Sequence, residues 1–363
     1  MNNKFILLTY ILLSFNSYCQ DKSPDEVQGK NPDEFLNKIT KKNLAVGGSA
    51  AYSVNGETVW QSATGYSDKE TKQPFELDTK VRMASIAKSM TALAVMQLVE
   101  QNLIDLDVPI QTYIPNYPKQ PKTQITTRHL LSHTSGIGGY KNGKEAETKI
   151  NYPKLTDALE IFKNRKLLFE PGTKYSYTSY GYTVLGVIIE KASGKTYEEY
   201  MQENIWSKAD MTNTGVVKFG DKMLKGSSLY QRNSKGKIRK GKENNLSNRI
   251  PAGGLYTTVD DMLKFGNAVI NNVFVKEETL RLMREHHSLE KESNGYGFGW
   301  FLYGKMPNEG IVFGHSGGQT GCSSQLLIYP KKGIVSITLI NTSNVNEATG
   351  LAFQLLNFAI DNL

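Results

Sequence analysis

The chain holds only two cysteines, Cys19 and Cys322, in 363 residues. If a leader is removed after Cys19, no intrachain disulfide can form and stability must come from the core. Cys322, in "QTGCSSQLLIY", has no adjacent cation in sequence to lower its pKa and reads as a buried small hydrophobe. Histidine is scarce too, at five residues. His129 and His133 in "HLLSH" have the spacing of a two-histidine metal face, yet no glutamate lies between them and no third ligand is near. Structural or hydrogen-bonded histidines are expected, and neither a metal nor a cofactor. His286 and His287 fall in a charged stretch and read as solvated.

The chain also lacks an apolar run long enough to cross a bilayer. Residues 5–15 of "MNNKFILLTYILLSFNSYCQ" are too few to span one but suit a secretory signal peptide over residues 1–19, with Ser17 and Cys19 at the minus-three and minus-one positions before the cleavage. Lipidation at Cys19 fits less well, because bulky Tyr18 stands where a lipoprotein signal wants a small residue. Export to the periplasm or beyond, without a membrane anchor, is the expectation. Hydrophobic residues at 39% and charged residues at 21% exclude a disordered chain. There is no internal repeat and no low-complexity tract.

Much of the net charge of +8 sits in residues 216–244, where the turn "NSKGK" predicts a protruding hairpin. Aromatic interleaving is sparse and no nucleic-acid motif accompanies it. A solvated face is favoured over a nucleic-acid site, with an anionic cell-envelope polymer as another partner.

Residues 20–35 read as a polar linker, and residues 36–363 as one domain. Alternating residues around Asn55-Gly56 predict a hairpin. Apolar positions from Ile86 to Leu103 recur at helical spacing and predict a helix with Ser85 at its head. Gly194 is a C-cap for a helix over 181–192; Thr196 with Glu199, and Thr258 with Asp261, are helix starts. Strands return in "GYGFGWFLYG", "EGIVFGHSG" and "SSQLLIYPKKGIVSITLINTS", followed by a closing amphipathic helix. The predicted fold class is α/β: an antiparallel sheet built from both termini, flanked by helices, with an inserted mainly helical lobe over roughly 104–255.

"MASIAKSM" puts Lys88 three residues after Ser85, on one face of a helix start where the unpaired amides and the dipole favour negative charge. Ser234 with Lys237 and Ser288 with Lys291 share that spacing but have no such helix. A lysine at its ordinary pKa of about 10.4 is mostly protonated at neutral pH, so Lys88 must be desolvated or relieved of its proton. A tyrosine relay is one means, and "PGTKYSYTSYGYTVLG" offers Tyr175, Tyr177, Tyr180 and Tyr182, among which composition does not choose.

"SIAK", "PGTKYSYTSYGYTVLGVIIEKASG" and "GHSGGQTGCSSQ" together resemble the penicillin-recognising serine hydrolases, in the group of class C beta-lactamases, D,D-peptidases and esterases (peptidase S12 type). "TTRHLLSHTSGI" and "IPAGGLYTTVDDMLKFGNAV" extend the similarity over roughly residues 45–341, most like the mitochondrial serine beta-lactamase-like protein and its bacterial relatives. The resemblance implies Ser85 as the acylated nucleophile, Lys88 as its base partner, Tyr177 as proton relay and His315 as head of the third element. It further implies an oxyanion site from the amides of Ser85 and Gly318, with Gly317 and Ser179 lining the substrate. Two departures stand out. Ser179 replaces an asparagine, and His315 replaces a lysine, making that positive charge pH-dependent. The expected activity is acyl-enzyme hydrolysis of an amide or ester in a D-residue-containing peptide, a cell-wall fragment or a small ester. The alternatives are a non-hydrolytic penicillin-binding sensor or scaffold and a dedicated class C-like beta-lactamase.

Overall fold

A computed structural model describes residues 31–287, 289, 295–306 and 310–363. The signal segment, Cys19, most of the linker, and Ser288 with Lys291 lie outside these residues. The helices are α1 (Pro32–Lys41), α2 (Ala87–Glu100), α3 (Thr127–Leu131), α4 (Gly143–Ala146), α5 (Leu155–Leu159), α6 (Ser179–Ser193), α7 (Tyr197–Met201), α8 (Ile250–Gly253), α9 (Val259–Ile270), α10 (Glu277–Met283) and α11 (Glu347–Asp361). α1 begins inside the stretch expected as linker, because Asn31 caps it and Phe35, Leu36 and Ile39 bury one face.

The principal sheet comprises β1 (Gly47–Val54), β2 (Glu57–Asp68), β3 (Gln73–Pro74), β9 (Phe301–Met306), β10 (Gly310–Gln319), β11 (Cys322–Tyr329) and β12 (Ile334–Ile340). Its order is β3-β2-β1-β12-β11-β10-β9, antiparallel throughout. Strands from the two ends of the chain thus meet at β1 and β12, as expected. Asn55 and Gly56 both take positive φ, 51° and 89°, which suits the turn to the twist of its hairpin. The Asn55 amide donates to the Gly333 carbonyl at 2.9 Å, so this turn and the one joining β11 to β12 brace each other.

Each face of the sheet has its own core. Ala50, Tyr52, Leu327, Tyr329, Ile334 and Ile340 pack with α1 and α11. Ala51, Leu326, Ile328, Val335, Ile337 and Leu339 pack on the other side with α2, α6 and α9. The alternation is the period of two expected of strands, and both sides are buried, so β11 and β12 read as nearly continuous apolar runs. Ser336 and Thr338 interrupt β12 on the α11 side, where they donate to the Ala352 and Ala348 carbonyls at 2.9 and 2.8 Å.

The middle of the chain contains more strand than its pattern shows. β4 (Val81–Arg82), β8 (Leu255–Thr257) and β5 (Gly215–Val216) form one small sheet; β13 (Thr342–Ser343), β6 (Tyr230–Arg232) and β7 (Ile238–Lys240) form another. The basic hairpin is therefore β6 and β7, tied to the body by β13 rather than protruding alone. Lys240 pairs there with Asp68 and Glu70, both at 3.2 Å.

Candidate active site

α2 is buried on nearly every side, from Ala87 through Leu98, as befits a helix running through the middle of a core. A 3-10 turn, Ala84–Ile86, leads into it, and Ala84 sits at φ 51°. A non-glycine residue in that region is strained, and it stays there because its surroundings fix it. Ser324 Oγ donates to the Met83 carbonyl at 2.9 Å. β10 passes so close that a Cβ on Gly317 would come within 2.4 Å of the Met83 oxygen and 2.3 Å of Ser324 Oγ. Gly317 is thus required by close approach, and it carries the Gly318 backbone alongside the Ser85 turn. Gly318 is exposed, and a Cβ there would meet nothing within 4 Å.

Ser85, Lys88 and Tyr177 come together. Lys88 Nζ lies 3.0 Å from Ser85 Oγ and donates to the Ala252 carbonyl at 2.8 Å. It also stands 4.8 Å from the centre of the Tyr177 ring. Lys88 has 0% exposure. Burial holds its pKa well below the usual lysine range, and the nearby Arg249 charge pushes the same way. The Ser85 hydroxyl hydrogen-bonds the Tyr177 phenol, whose pKa burial nonetheless raises well above normal. Tyr180 and Tyr182 are engaged elsewhere. Tyr180 bonds Glu145, and Tyr182 donates to the Leu131 carbonyl at 2.9 Å. Ser179 opens α6, partly exposed, with its carbonyl receiving Thr183 Oγ1 at 3.5 Å.

His315 departs from its expected role as a pH-dependent cation. It is fully buried; its Nδ1 lies 2.6 Å from the Ser316 carbonyl and its Nε2 3.1 Å from the Tyr296 hydroxyl. A carbonyl only accepts, so Nδ1 carries the proton and Nε2 accepts from Tyr296. Burial, then repulsion from Lys88, brings the imidazole pKa down to about 3. At neutral pH the third element presents no charge.

His133 is also buried and neutral, its pKa lowered chiefly by burial, with Lys88 and His315 adding. Its Nδ1 accepts from the Thr178 amide at 3.3 Å, and its ring packs 4.3 Å from that of Tyr177. His129 Nδ1 accepts from the Thr126 amide at 3.2 Å to complete a capping box. Among the described residues no group of three His, Cys, Asp or Glu side chains could hold a metal. His287 is not simply solvated: its Nε2 meets the Leu282 carbonyl at 2.6 Å and its ring stacks on Phe298. Cys322 is buried with its pKa raised to about 12; the guanidinium of Arg82, distant in sequence, opposes that shift without overcoming it.

Several site residues carry no local sequence signal. Tyr296 meets His315 through its hydroxyl and packs against the His133 and Tyr177 rings, Ala252 acts through its backbone oxygen, and Arg82 and Arg249 are marked by burial. The nearest sequence hint is a charged residue set directly before the apolar "IPAGG".

The family model described as Beta-lactamase matches residues 34–359. The chain belongs to the Beta-lactamase family. It is accordingly a serine hydrolase with the beta-lactamase/transpeptidase-like fold. The human serine beta-lactamase-like protein LACTB, mitochondrial, is 28% identical over 392 residues, covering 82% of this chain and 71% of that protein. The octameric penicillin-binding protein homologue from Pyrococcus abyssi superposes with a TM-score of 0.79 at 25% identity, covering 91% of this chain and 77% of that one. The D-amino acid amidase from Ochrobactrum anthropi SV3 shares the fold, with a TM-score of 0.78 at 23% identity over 91% and 98% of the two chains. Among the described residues no helix is long and apolar enough to cross a membrane.

Proposed function

We propose that the chain is an exported hydrolase in which Ser85 is transiently acylated by an amide or ester substrate. The observation that carries this reading is Lys88 Nζ, 3.0 Å from Ser85 Oγ and without solvent exposure. A lysine so desolvated can be neutral at physiological pH and accept the serine proton. Oγ then attacks the substrate carbonyl carbon, and the developing oxyanion is received by the Ser85 and Gly318 amides; losing such a donor typically costs about 10²- to 10³-fold in rate. As the carbon–nitrogen or carbon–oxygen bond breaks, Tyr177 passes a proton to the leaving group and is resupplied from Lys88. Water, losing its proton along the same path, releases the acyl group and restores Ser85.

Small esters, D-residue-containing peptides and cell-wall fragments are the substrate classes proposed, and a neutral His315 argues against a leaving-group carboxylate held at the third element. Export rests on the leader-like residues 1–19. The test is labelling with a fluorophosphonate or penicillin probe, followed by mass spectrometry. Label on Ser85, absent in Ser85→Ala, together with turnover of an ester or peptide panel, is expected. A wild type that is neither labelled nor active on that panel overturns the proposal, and a stable penicilloyl adduct with no turnover points to a sensor instead.

A further inference from the structure

Three basic side chains are buried around Ser85: Arg82 at 3% exposure, Lys88 at 0% and Arg249 at 5%. Among the described residues none of them forms an ion pair with a carboxylate. Arg82 is nevertheless satisfied. Its Nη1 donates to Asn244 Oδ1 at 2.6 Å and to the Thr320 carbonyl at 3.3 Å, and its Nη2 to the Asn244 carbonyl at 3.4 Å. Lys88 is satisfied by Ser85 and Ala252.

Arg249 is not. Its guanidinium stacks over the Tyr140 ring at 5.0 Å, but Nη1 is buried with no hydrogen-bond partner. Asn248 Nδ2 and Asn244 Nδ2, on the same segment, are likewise buried and unpartnered. Leaving a buried charge without a counter-ion is far more costly than leaving a buried amide unpaired. Here the charge and two idle amide donors fall on one stretch of chain, with Asn248 Oδ1 an idle acceptor on the same stretch.

Their position links them to the reacting groups. The Asn248 carbonyl receives Thr183 Oγ1 at 3.1 Å, and the same hydroxyl reaches the Ser179 carbonyl at 3.5 Å. Three residues beyond Arg249, the Ala252 carbonyl holds Lys88 Nζ. Arg249 therefore lies on the α6 side of Ser85, while on the other wall, β10, His315 is buried against the Tyr296 hydroxyl and Gln319 Nε2 donates to the Gly253 carbonyl at 3.0 Å. An anion entering beside Ser179 would meet a planar fork already stripped of water, the arrangement that favours bidentate carboxylate binding.

We propose that Arg249, with Asn248 and Asn244, is the subsite for a carboxylate carried by the substrate. This rests on Ser85 being the acylated residue, and it narrows the substrate class to anionic amides or esters.

The test compares aryl esters in matched pairs: glutarate half-ester against valerate for a carboxylate on the acyl half, and carboxyphenyl against phenyl leaving groups for the other half. The wild type should prefer the anionic member of at least one pair by ten-fold or more in kcat/KM, mainly through KM. Arg249→Gln should bring that ratio close to one, and Arg249→Lys should restore part of it. No anionic preference in the wild type, or a preference that survives Arg249→Gln, overturns the subsite. Turnover of neutral esters in either case leaves the hydrolase reading intact; no turnover of any ester and no labelling of Ser85 removes the hydrolase reading itself.

Discussion

On the hairpin of β6 and β7, Ser234 and Lys237 are both exposed, whereas the same spacing at the head of α2 sets Lys88 Nζ 3.0 Å from Ser85 Oγ with no exposure. The hairpin lysine stands in solvent. Around Lys88 the helix is enclosed by α6 and α8, with β10 against the turn at its head, and the solvent that would stabilise an ammonium is gone. Identical spacing yields a candidate base in one place and an ordinary surface in the other, and burial makes the difference.

The largest expected effect falls on Lys88. On the proposed reading Lys88→Met lowers acylation about 10²- to 10⁴-fold, the usual contribution of a positioned base, and Lys88→Arg does not rescue it, since a guanidinium stays protonated. Labelling rates measured against pH check this: the wild-type rate rises with pH as Lys88 loses its proton, below the ordinary lysine range. The unfolded chain keeps that proton up to about pH 10.4. It therefore binds more protons than the folded form across the interval, and wild-type stability climbs with pH there, a climb that Lys88→Met removes. Equal labelling rates in Lys88→Met and wild type would break the comparison.

A second, smaller effect concerns His315, a buried base without a nucleophile. Its folded pKa of about 3 lies below the unfolded value, near 6.5. The unfolded state takes up the proton first on acidification, so stability falls as pH drops from about 6.5 towards 3. Denaturant midpoints at pH 7 and pH 4 should show His315→Gln losing less than the wild type, by on the order of 3 kcal/mol. Imidazolium signals from His315 by NMR at pH 6 would contradict this. The smallest effect is the control: Ser234→Ala and Lys237→Ala should shift stability by less than about 0.5 kcal/mol and leave probe labelling unchanged.

What the sequence made legible was local. Asn55-Gly56, the Gly194 cap, and Thr196 with Glu199 each carry their own reason for a turn or helix end, and all three form where expected. The Ser85 helix was legible from its periodicity, although the helix closes at Glu100 rather than at residue 103. The strands β4, β5 and β8, two or three residues each, were not legible, because such short pairings exist only once distant segments meet. Nor could the tyrosine be chosen by pattern: Tyr177 and Tyr182 differ by partners 92 and 51 positions away, Ser85 and the Leu131 carbonyl. The depth of the His315 pKa shift was not legible for the same reason, since it depends on burial and on the lysine of another element.

The pairing of β1 with β12 has a temporal meaning as well. The turn that holds Ser85 is braced by Ser324 and Gly317, more than two hundred residues downstream. A ribosome that has released only the first two thirds of the chain has released Ser85 but none of the strands that seat it. Non-local pairings of this kind form late and slowly. On the proposed reading, reactivity at Ser85 is thereby deferred until synthesis is nearly finished, and a partly made chain carries the serine without the means to use it.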